Sequence, residues 1–581
     1  MKNRTCFVIL LPLVMMGSQA IFGQQSGDSL KRTQSQKELP QIQLQEYTIV
    51  GLAKISLPHK VRTEVFKEVD IEWSNNQNVY HKDLPAITFQ FSRVKPALFQ
   101  LYDFPWLDSR IHYGSYNEAG VFVNMQFKAG QTLPYFSAQF LRSDGHVANA
   151  QWTDVGLNAG VHQNLSERHL LHVSTNYRDN RRGIWRDYEV YQQDWEVQTV
   201  FWDIDASLEN RWNEKVQSKF SGNFYLDDHE NGFRYEDRGF DLVAGMDINI
   251  KDTKIGVSGE YEQVDLSLSN GNLVRDTTAS NLLNQYKSSL LSGKIHVQQQ
   301  LKIAAILAGI NYQKSDESDV RAITNKFSEE YINPFASLEI GKPGNITFYG
   351  RYRPGVETQQ FRQGIRLIPF SELDALRVLN YKMRWEAGFD LDVPYHVNFS
   401  VISRFSTVEH LAAVLNPSDS LNAIFTQGGY PGWIYNTVDE TQIRELYGKL
   451  EWNVSAKLQI LGWANFRQSD IRQSGNRTAE VQGKELPYFP RLSGYGQLRW
   501  KFYNNHKISL FTYYTGTRYD DLANQNQLGD FFLLNTRLDL QLNPYFLFFI
   551  VGENLLDTQY EEFKGFVAPG VTGHVGLKIV M

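Results

Sequence analysis

The side chains best suited to ligand binding lie in one aromatic-rich stretch, Gln427–Tyr435. Glycine and proline set its turns, while Tyr430, Trp433 and Tyr435 offer flat faces that suit sugars or hydrophobic ligands. The same aromatic residues also suit a loop that packs on itself or lies at a membrane interface. The stretch is therefore predicted either as a ligand-binding loop or as a structural loop, and the sequence favours neither.

Carboxylates form two clusters that could offer oxygen ligands to Ca²⁺. They are Asp227, Asp228 and Glu230 in one stretch, and Asp316, Glu317 and Asp319 in another. Neither follows a defined ligand pattern, so solvated charge in outer loops is the stronger interpretation. We expect no metal site here.

Signatures of catalysis are missing from the sequence. It contains no Gly-x-Ser-x-Gly elbow and no His-Glu-x-x-His helix, and its histidines are scattered. The single cysteine, Cys6, precedes an apolar leader segment, so the mature chain should have no thiol. We expect no catalytic residues, no cofactor and no enzyme activity. The net charge of -6 also disfavours nucleic acid as a partner.

Strands must position these residues. Leu534–Leu542 alternates without error, which puts Leu538 on one face and Arg537 and Asp539 on the other. The same period of two recurs in runs that include Val121–Phe127, Val200–Leu208, Leu242–Ile250, Tyr381–Leu391 and Leu498–Phe502. Recurrence along most of a long chain is typical of a membrane barrel, since a soluble sandwich shows it on fewer strands. The fold class predicted is all-β, a large closed antiparallel transmembrane β-barrel.

The links between strands alternate in length, which separates a barrel from a generic β-protein. Tight links such as Lys251–Thr253 and Asn543–Pro544 alternate with long polar links such as Pro354–Arg377. Short periplasmic turns and long extracellular loops are the outer-membrane pattern, and counting this way gives about 22 strands. One strand, Tyr545–Val551, is apolar on both faces; we expect its lumen side to pack against neighbouring lumen side chains rather than to form a ligand wall.

The start of the chain predicts its compartment. Lys2 and Arg4, a short apolar core and the small residues Ser18 and Ala20 predict a signal peptide over residues 1–20. Residues 21–108 should then form a flexible periplasmic segment, and residues 109–581 the barrel. A secreted chain with this alternation and no spanning helix is expected in the Gram-negative cell outer membrane, in contact with outer-membrane lipid.

The C-terminus resembles the closing hairpin of TonB-dependent receptors. The residues that carry the resemblance are Asn554, Leu555, Asp557, Tyr560, Gly565, Pro569 and Gly570. Two earlier blocks, Asn436–Leu450 and Leu486–Arg491, look like barrel segments of the same family. Val571 stands where the family usually has arginine, and Met581 ends the chain where an aromatic residue is commoner.

The front of the chain departs from that family. Only about sixty residues separate Glu46 from Ser109, and they lack the motifs of the family's plug domain, so the segment is too small for a full plug. Glu46, Tyr47, Thr48, Ile49 and Val50 resemble a TonB box, the strip that pairs with TonB by β-addition. A first structural strand inside the barrel mouth is the alternative.

Two functions are therefore expected from different classes. The first is a TonB-dependent receptor-like barrel that binds or imports a nutrient, with TonB as its periplasmic partner. The second is a plugless structural barrel that houses a periplasmic or surface partner protein, or a passive, porin-like pore. The retained closing motif and long loops favour the first; the missing plug motifs favour the second.

Overall fold

The fold is described here from a computed structural model. The described residues are 106–581 except 128, 184–195, 231–232, 271–284, 320–325, 342–345, 359–370, 374–377, 394–396, 416–432, 475–477 and 504. Within them no helix is long and apolar enough to cross a membrane. The helical elements described are a short 3₁₀ turn at Ser115–Asn117 and one helix, α1, at Thr478–Val481.

The strands, in chain order, are β1 (Leu107–Gly114), β2 (Ala119–Gln126), β3 (Thr132–Ser143), β4 (Trp152–Ser166), β5 (His169–Gly183), β6 (Glu196–Arg211), β7 (Val216–Glu230), β8 (Phe233–Ile250), β9 (Thr253–Asn270), β10 (Gln285–Gln300), β11 (Ala304–Asp319), β12 (Lys326–Gly341), β13 (Ile346–Tyr352), β14 (Gly355–Glu357), β15 (Ser371–Leu373), β16 (Leu379–Val393), β17 (Val397–Leu415), β18 (Trp433–Asn453), β19 (Leu458–Gln473), β20 (Leu492–Tyr503), β21 (His506–Thr515), β22 (Arg518–Tyr519), β23 (Gln527–Leu528), β24 (Phe531–Gln541), β25 (Phe546–Glu553), β26 (Glu561–Phe563), β27 (Phe566–Val567) and β28 (Thr572–Val580).

Twenty-four of these strands form one closed sheet, and β22–β23 and β26–β27 form two separate two-stranded sheets. Each barrel strand pairs antiparallel with the next, and β28 pairs antiparallel with β1, for example Leu577 with Ile111. β14 continues β13, since both pair with β16, and β15 runs parallel to the start of β18 within a link. The 24-stranded sheet, less these two, is a barrel of 22 strands. The predicted fold class and strand number are confirmed.

The two ends of the barrel differ, as the sequence predicted. One end has turns as short as Glu167–Arg168 and Lys251–Asp252, and we call it the short-turn end. At the opposite, long-link end, β21 and β24 are joined by residues 516–530, and β25 and β28 by residues 554–571. The barrel also begins and finishes at the short-turn end. β1 starts there and β28 finishes there, and Leu107 and Met581 exchange backbone hydrogen bonds.

The predicted faces of the strands are also confirmed. In β24, Asn535 and Arg537 are buried on the lumen side, whereas Phe532 on the other face is 44% exposed. On the outside of β8 and β10, Leu242 and Ile295 are each 54% exposed. Large apolar side chains that face outward along whole strands are stable only against lipid.

The outward face is banded along the strands. Toward the long-link end the outward aliphatic side chains of β8, such as Met246 and Leu242, give way to Phe240, the cross-strand partner of Phe224 in β7. Two residues further on, Arg238 pairs with Asp265 of β9 in register, and Asp265 with Lys287 of β10. An apolar band bordered by aromatic and then charged residues marks the edge of a membrane-spanning region.

The two acidic clusters were predicted to lie in outer loops, and this prediction is wrong. Asp227 and Asp228 lie within β7, and Asp316 and Glu317 within β11, rather than in loops. Asp227 is only 2% exposed. The backbone hydrogen bonds between strands continue beyond the apolar band because they do not require contact with lipid. In that part of the strands the outward-facing residues are charged instead of apolar.

Candidate functional site: the lumen wall and the long-link mouth

A row of alternating charges crosses the lumen wall from β12 to β19; we call it the charge belt. Five members face one another in register across neighbouring strands: Arg351, Glu386, Arg404, Glu445 and Arg467. The sixth, Glu339 of β12, lies diagonally to Arg351 at 3.5 Å. One guanidinium nitrogen of Arg351 donates to Glu386 Oε1 at 2.5 Å, and both side chains are 5% exposed. Arg404 donates to Glu386 at 2.9 Å and to Glu445 at 3.0 Å.

The belt cross-braces six strands on the side of the barrel away from lipid. Glu386 lies between Arg351 and Arg404, and Arg404 lies between Glu386 and Glu445, so these charges are paired within the wall. Asn465 adds a further donor to Glu445 at 2.6 Å. Such a row stabilises the wall and lines the lumen with fixed charge.

The lumen wall also has one arc richer in carboxylates and one richer in cations, although both contain ion pairs such as Lys219–Glu209 and Arg537–Asp539. The acidic arc, on β6–β9, carries Asp203, Asp205, Asp227, Asp237, Asp241, Glu260 and Glu262 on its inward positions. The cationic arc, from β19 through β28 to β1, carries Arg467, Arg499, Lys507, Arg537, Lys578 and Arg110. The arcs are separated by β2–β5 on one side and by β10–β18 on the other. The uneven distribution of these charges gives the lumen wall a fixed electrostatic pattern.

At the long-link end, residues 554–571 fold over the barrel through the predicted closing motif. Asn554 has a φ of 47° and is 0% exposed. Its side-chain amide donates to the carbonyls of Thr558 at 2.9 Å and Pro569 at 3.2 Å, and its Oδ1 accepts from the Thr558 amide. Its own backbone amide donates to Asn535 Oδ1 at 2.7 Å. Asparagine suits the position because it tolerates positive φ and has both a donor and an acceptor.

The rest of the motif completes this fold. Asp557 Oδ1 accepts from the Val571 amide at 3.2 Å, and a Cβ at Gly570 would come within 2.4 Å of that oxygen. Tyr560 packs on Phe531 with ring centroids 4.3 Å apart. Gly565 has a φ of 83° in the turn between β26 and β27. Each of these residues therefore has a structural role, while Leu555 is 40% exposed.

Other links pack against this one to form the mouth. Tyr488, from residues 474–491, contacts Phe563 with ring centroids 5.2 Å apart. Arg518 donates to the carbonyls of Glu561 at 2.5 Å and Glu562 at 2.9 Å. His146 Nε2 lies 2.7 Å from the Val567 carbonyl, and burial lowers the pKa of His146. The described links are thus fastened to one another.

An apolar core supports the mouth. Val438, Ile471 and Val481 are 0% exposed and pack with Leu486 and Leu522. This cluster joins the extended ends of β18 and β19 to two links.

Burial also raises the pKa of Glu562 to about 8, although Arg518 and Arg182 act in the opposite direction. The mouth therefore holds an ionisable carboxyl that titrates near neutral pH.

The barrel resembles those of solved transport proteins at low sequence identity. The siderophore receptor PiuA from Acinetobacter baumannii matches with a TM-score of 0.63 at 10% identity, covering 81% of each chain. The copper transporter OprC matches at 0.64 with 9% identity over 82% of each chain. The FrpB iron transporter from Neisseria meningitidis matches at 0.63 with 11% identity over 83% of each chain. The fold is that of the TonB-dependent receptors.

Sequence comparison alone does not reach this result. No protein-family model matches the chain, and no curated protein matches it. The closing motif was the sequence signal that predicted the TonB-dependent receptor fold, and its residues hold together the last long link.

The remaining predicted site residues are not brought into this arrangement. The TonB-box-like strip Glu46–Val50 and Tyr430 lie outside the described residues. Trp433 and Tyr435 are the ends of a three-residue run that pairs with β15, so their backbone belongs to a strand rather than to a loop. Within the described residues, no group of three or more His, Cys, Asp or Glu side chains is arranged to hold a metal ion.

The charge belt was missed at the sequence level. Its members are spread from residue 339 to residue 467, and each alone looks like an ordinary polar position of an alternating strand. Only the register, which places Arg351 opposite Glu386 and Glu386 opposite Arg404, brings them together. A search for opposite charges at corresponding positions of successive strands could have found it.

Proposed function

We propose that this chain is an outer-membrane receptor that binds a nutrient at its long-link mouth and imports it with energy from TonB. The observation that carries the proposal is the closed 22-strand barrel whose long links fold into an ordered mouth over a charged lumen. Passive pores need no such mouth, whereas a receptor must present a defined surface to its ligand. The structurally similar proteins are a siderophore receptor, a copper transporter and an iron transporter, which supports the same assignment.

In this proposal the long-link end faces the outside of the cell and the short-turn end faces the periplasm. The cargo would meet the mouth first and then the charged arcs of the lumen. Glu46–Val50 would lie on the periplasmic side, where TonB can pair with it by β-addition. Tyr430, Trp433 and Tyr435 remain the proposed ligand-binding residues at the outer end, with Trp433 and Tyr435 at the start of β18. The chemistry is transport without bond making or breaking.

The test compares a deletion strain with its parent in media that limit one nutrient at a time. A receptor predicts a growth defect under one limitation only, restored by the wild-type gene and not by the Ile49→Pro variant, which removes an amide donor from the strip. The structural barrel predicts instead that a partner protein co-purifies in stoichiometric amount. A deletion strain that grows normally throughout, with such a partner present, would overturn the receptor proposal.

A further inference from the structure

Two histidines face each other across β4 and β5 on the lumen side of the wall. His162 pairs with His172 in register, and their stacked rings have centroids 4.3 Å apart and planes 17° apart. Strand alternation directs both inward, since Leu157 on the other face of β4 is 37% exposed. Both histidines are only partly buried, so an ion in the lumen can reach them. We call them the histidine pair.

Tyr135 of β3 completes a group of three near-parallel rings. Its hydroxyl lies 3.1 Å from Nε2 of His172, and its ring centroid is 5.4 Å from that of His162. Tyr135 pairs with Gly160, and a Cβ at Gly160 would come within 2.5 Å of the tyrosine ring. Glycine at this position therefore lets the tyrosine ring lie across β4 beside the histidine pair.

The charges around the histidine pair suit a cation. Asp205 of β6 pairs with Ser174, two residues from His172 on the same face of β5. Its carboxylate acts electrostatically on both His172 and Tyr135. Lys219 also acts on His172, but its ammonium group is paired with Glu209 at 3.1 Å. A carboxylate therefore lies near the two imidazoles, while the neighbouring cation has a partner of its own.

Imidazoles that face each other on adjacent strands can bind one transition-metal ion. Directly opposite residues have Cβ atoms about 4.5–5.5 Å apart, so both rings can reach the same point. Metal–nitrogen bonds of about 2.0–2.1 Å hold two ligand nitrogens about 3–3.5 Å apart, so the stacked rings need to move by about 1 Å. Imidazole suits Cu²⁺, Zn²⁺ and Ni²⁺, and of these Cu²⁺ generally binds most strongly.

We propose that His162 and His172 bind a divalent transition-metal ion, with Cu²⁺ preferred, in the lumen near the short-turn end. The pair lies about four residues, or about 13 Å, from the turn at Glu167–Arg168. Two histidines leave coordination positions that the Tyr135 hydroxyl and water can fill. The site needs neither TonB nor the mouth, so it goes beyond the proposed receptor function and can hold or fail independently of it.

The test uses the full chain reconstituted in phosphatidylcholine vesicles, stripped of metal with EDTA and titrated with Cu²⁺ alone. At one equivalent, electron paramagnetic resonance should show a Cu²⁺ signal with hyperfine splitting from two equatorial nitrogens. His162→Gln and His172→Gln should each weaken binding about tenfold or more and leave one nitrogen in the remaining signal. The double variant should lose the signal.

The matched control is His169→Gln, which removes a nearby histidine of β5 whose ring contacts Asn210 and Trp212 instead. A second control, His574→Gln, separates another pair of histidines, since the rings of His112 and His574 are 5.5 Å apart and tilted by 52°. Both controls should leave the signal unchanged.

Every variant is first shown to migrate as a folded barrel when unboiled, and asparagine replaces glutamine at a position where the first variant fails to fold. A two-nitrogen signal that survives in the double variant would place the ion elsewhere and overturn the proposal. A folded wild-type barrel that binds no Cu²⁺ in excess would overturn it as well.

Discussion

Glu386→Gln is the substitution that tests the charge belt most sharply. The Glu386 carboxylate is 5% exposed and lies between Arg351 at 2.5 Å and Arg404 at 2.9 Å. Glutamine has nearly the same shape and keeps one oxygen acceptor, so packing is retained while the charge is lost. The two cations, on the strands that flank β16, then lose the carboxylate between them and keep their outer partners, Glu339 and Glu445.

The magnitude follows from burial. Removing one partner of a buried ion pair costs about 3–5 kcal/mol, because the remaining charge stays desolvated. Arg351 is 5% exposed and Arg404 is 15% exposed, so water screens the second cation more than the first. Since glutamine can still accept one hydrogen bond, we expect a loss near the lower limit, about 3 kcal/mol in the free energy of unfolding.

The assay is urea unfolding of the reconstituted barrel, followed by loss of the fast-migrating unboiled band. The control is Glu209→Gln, whose carboxylate faces Lys219 at 3.1 Å on the same lumen side but with both side chains more than 40% exposed. That pair should contribute no more than about 1 kcal/mol. Equal losses in the two variants would show that the belt is screened by water and refute the reasoning.

Further predictions concern the wall and the mouth. Leu242→Arg, on the lipid face, should cost about 2–4 kcal/mol, while Val243→Arg on the lumen face, opposite a carboxylate, should assemble normally; urea midpoints compare them. Asn554→Ala should open residues 554–571 to hydrogen exchange by leaving buried backbone groups unpaired, while the barrel strands stay protected. The pKa of Glu562 is raised to about 8 from its ordinary value of 4.5, so the folded mouth holds a proton that the unfolded chain has lost. Stability of the mouth should therefore fall as pH rises from about 4.5 to 8, and Glu562→Gln should remove that slope in exchange measurements.

Local pattern predicted the wall because the membrane imposes it residue by residue. A lipid-facing residue must be apolar, whereas the next residue in the strand faces the lumen and can be polar. The alternation in Leu534–Leu542 was therefore enough to assign both faces of β24. The doubly apolar strand Tyr545–Val551 packs as expected, since Phe549 is 0% exposed and lies beneath the guanidinium of Arg537.

Features that depend on register or on tertiary packing were beyond the sequence. Extension of β7 through Asp227 and Asp228 was missed because charged positions outside the membrane carry no alternation of hydrophobicity. The contact of Tyr488 with Phe563 joins two links that are far apart in the sequence, and no local signal predicts such a pairing.

The central claim, that TonB engages this chain, is tested most directly by a disulfide. The mature chain should have no cysteine, so Thr48→Cys introduces a unique thiol in the proposed strip. We predict a disulfide-linked complex with a cysteine variant of TonB, lost when Ile49→Pro is added and much weaker from the control position Ser56→Cys. An assembled barrel that forms no such complex, or forms it equally from both positions, would contradict the account.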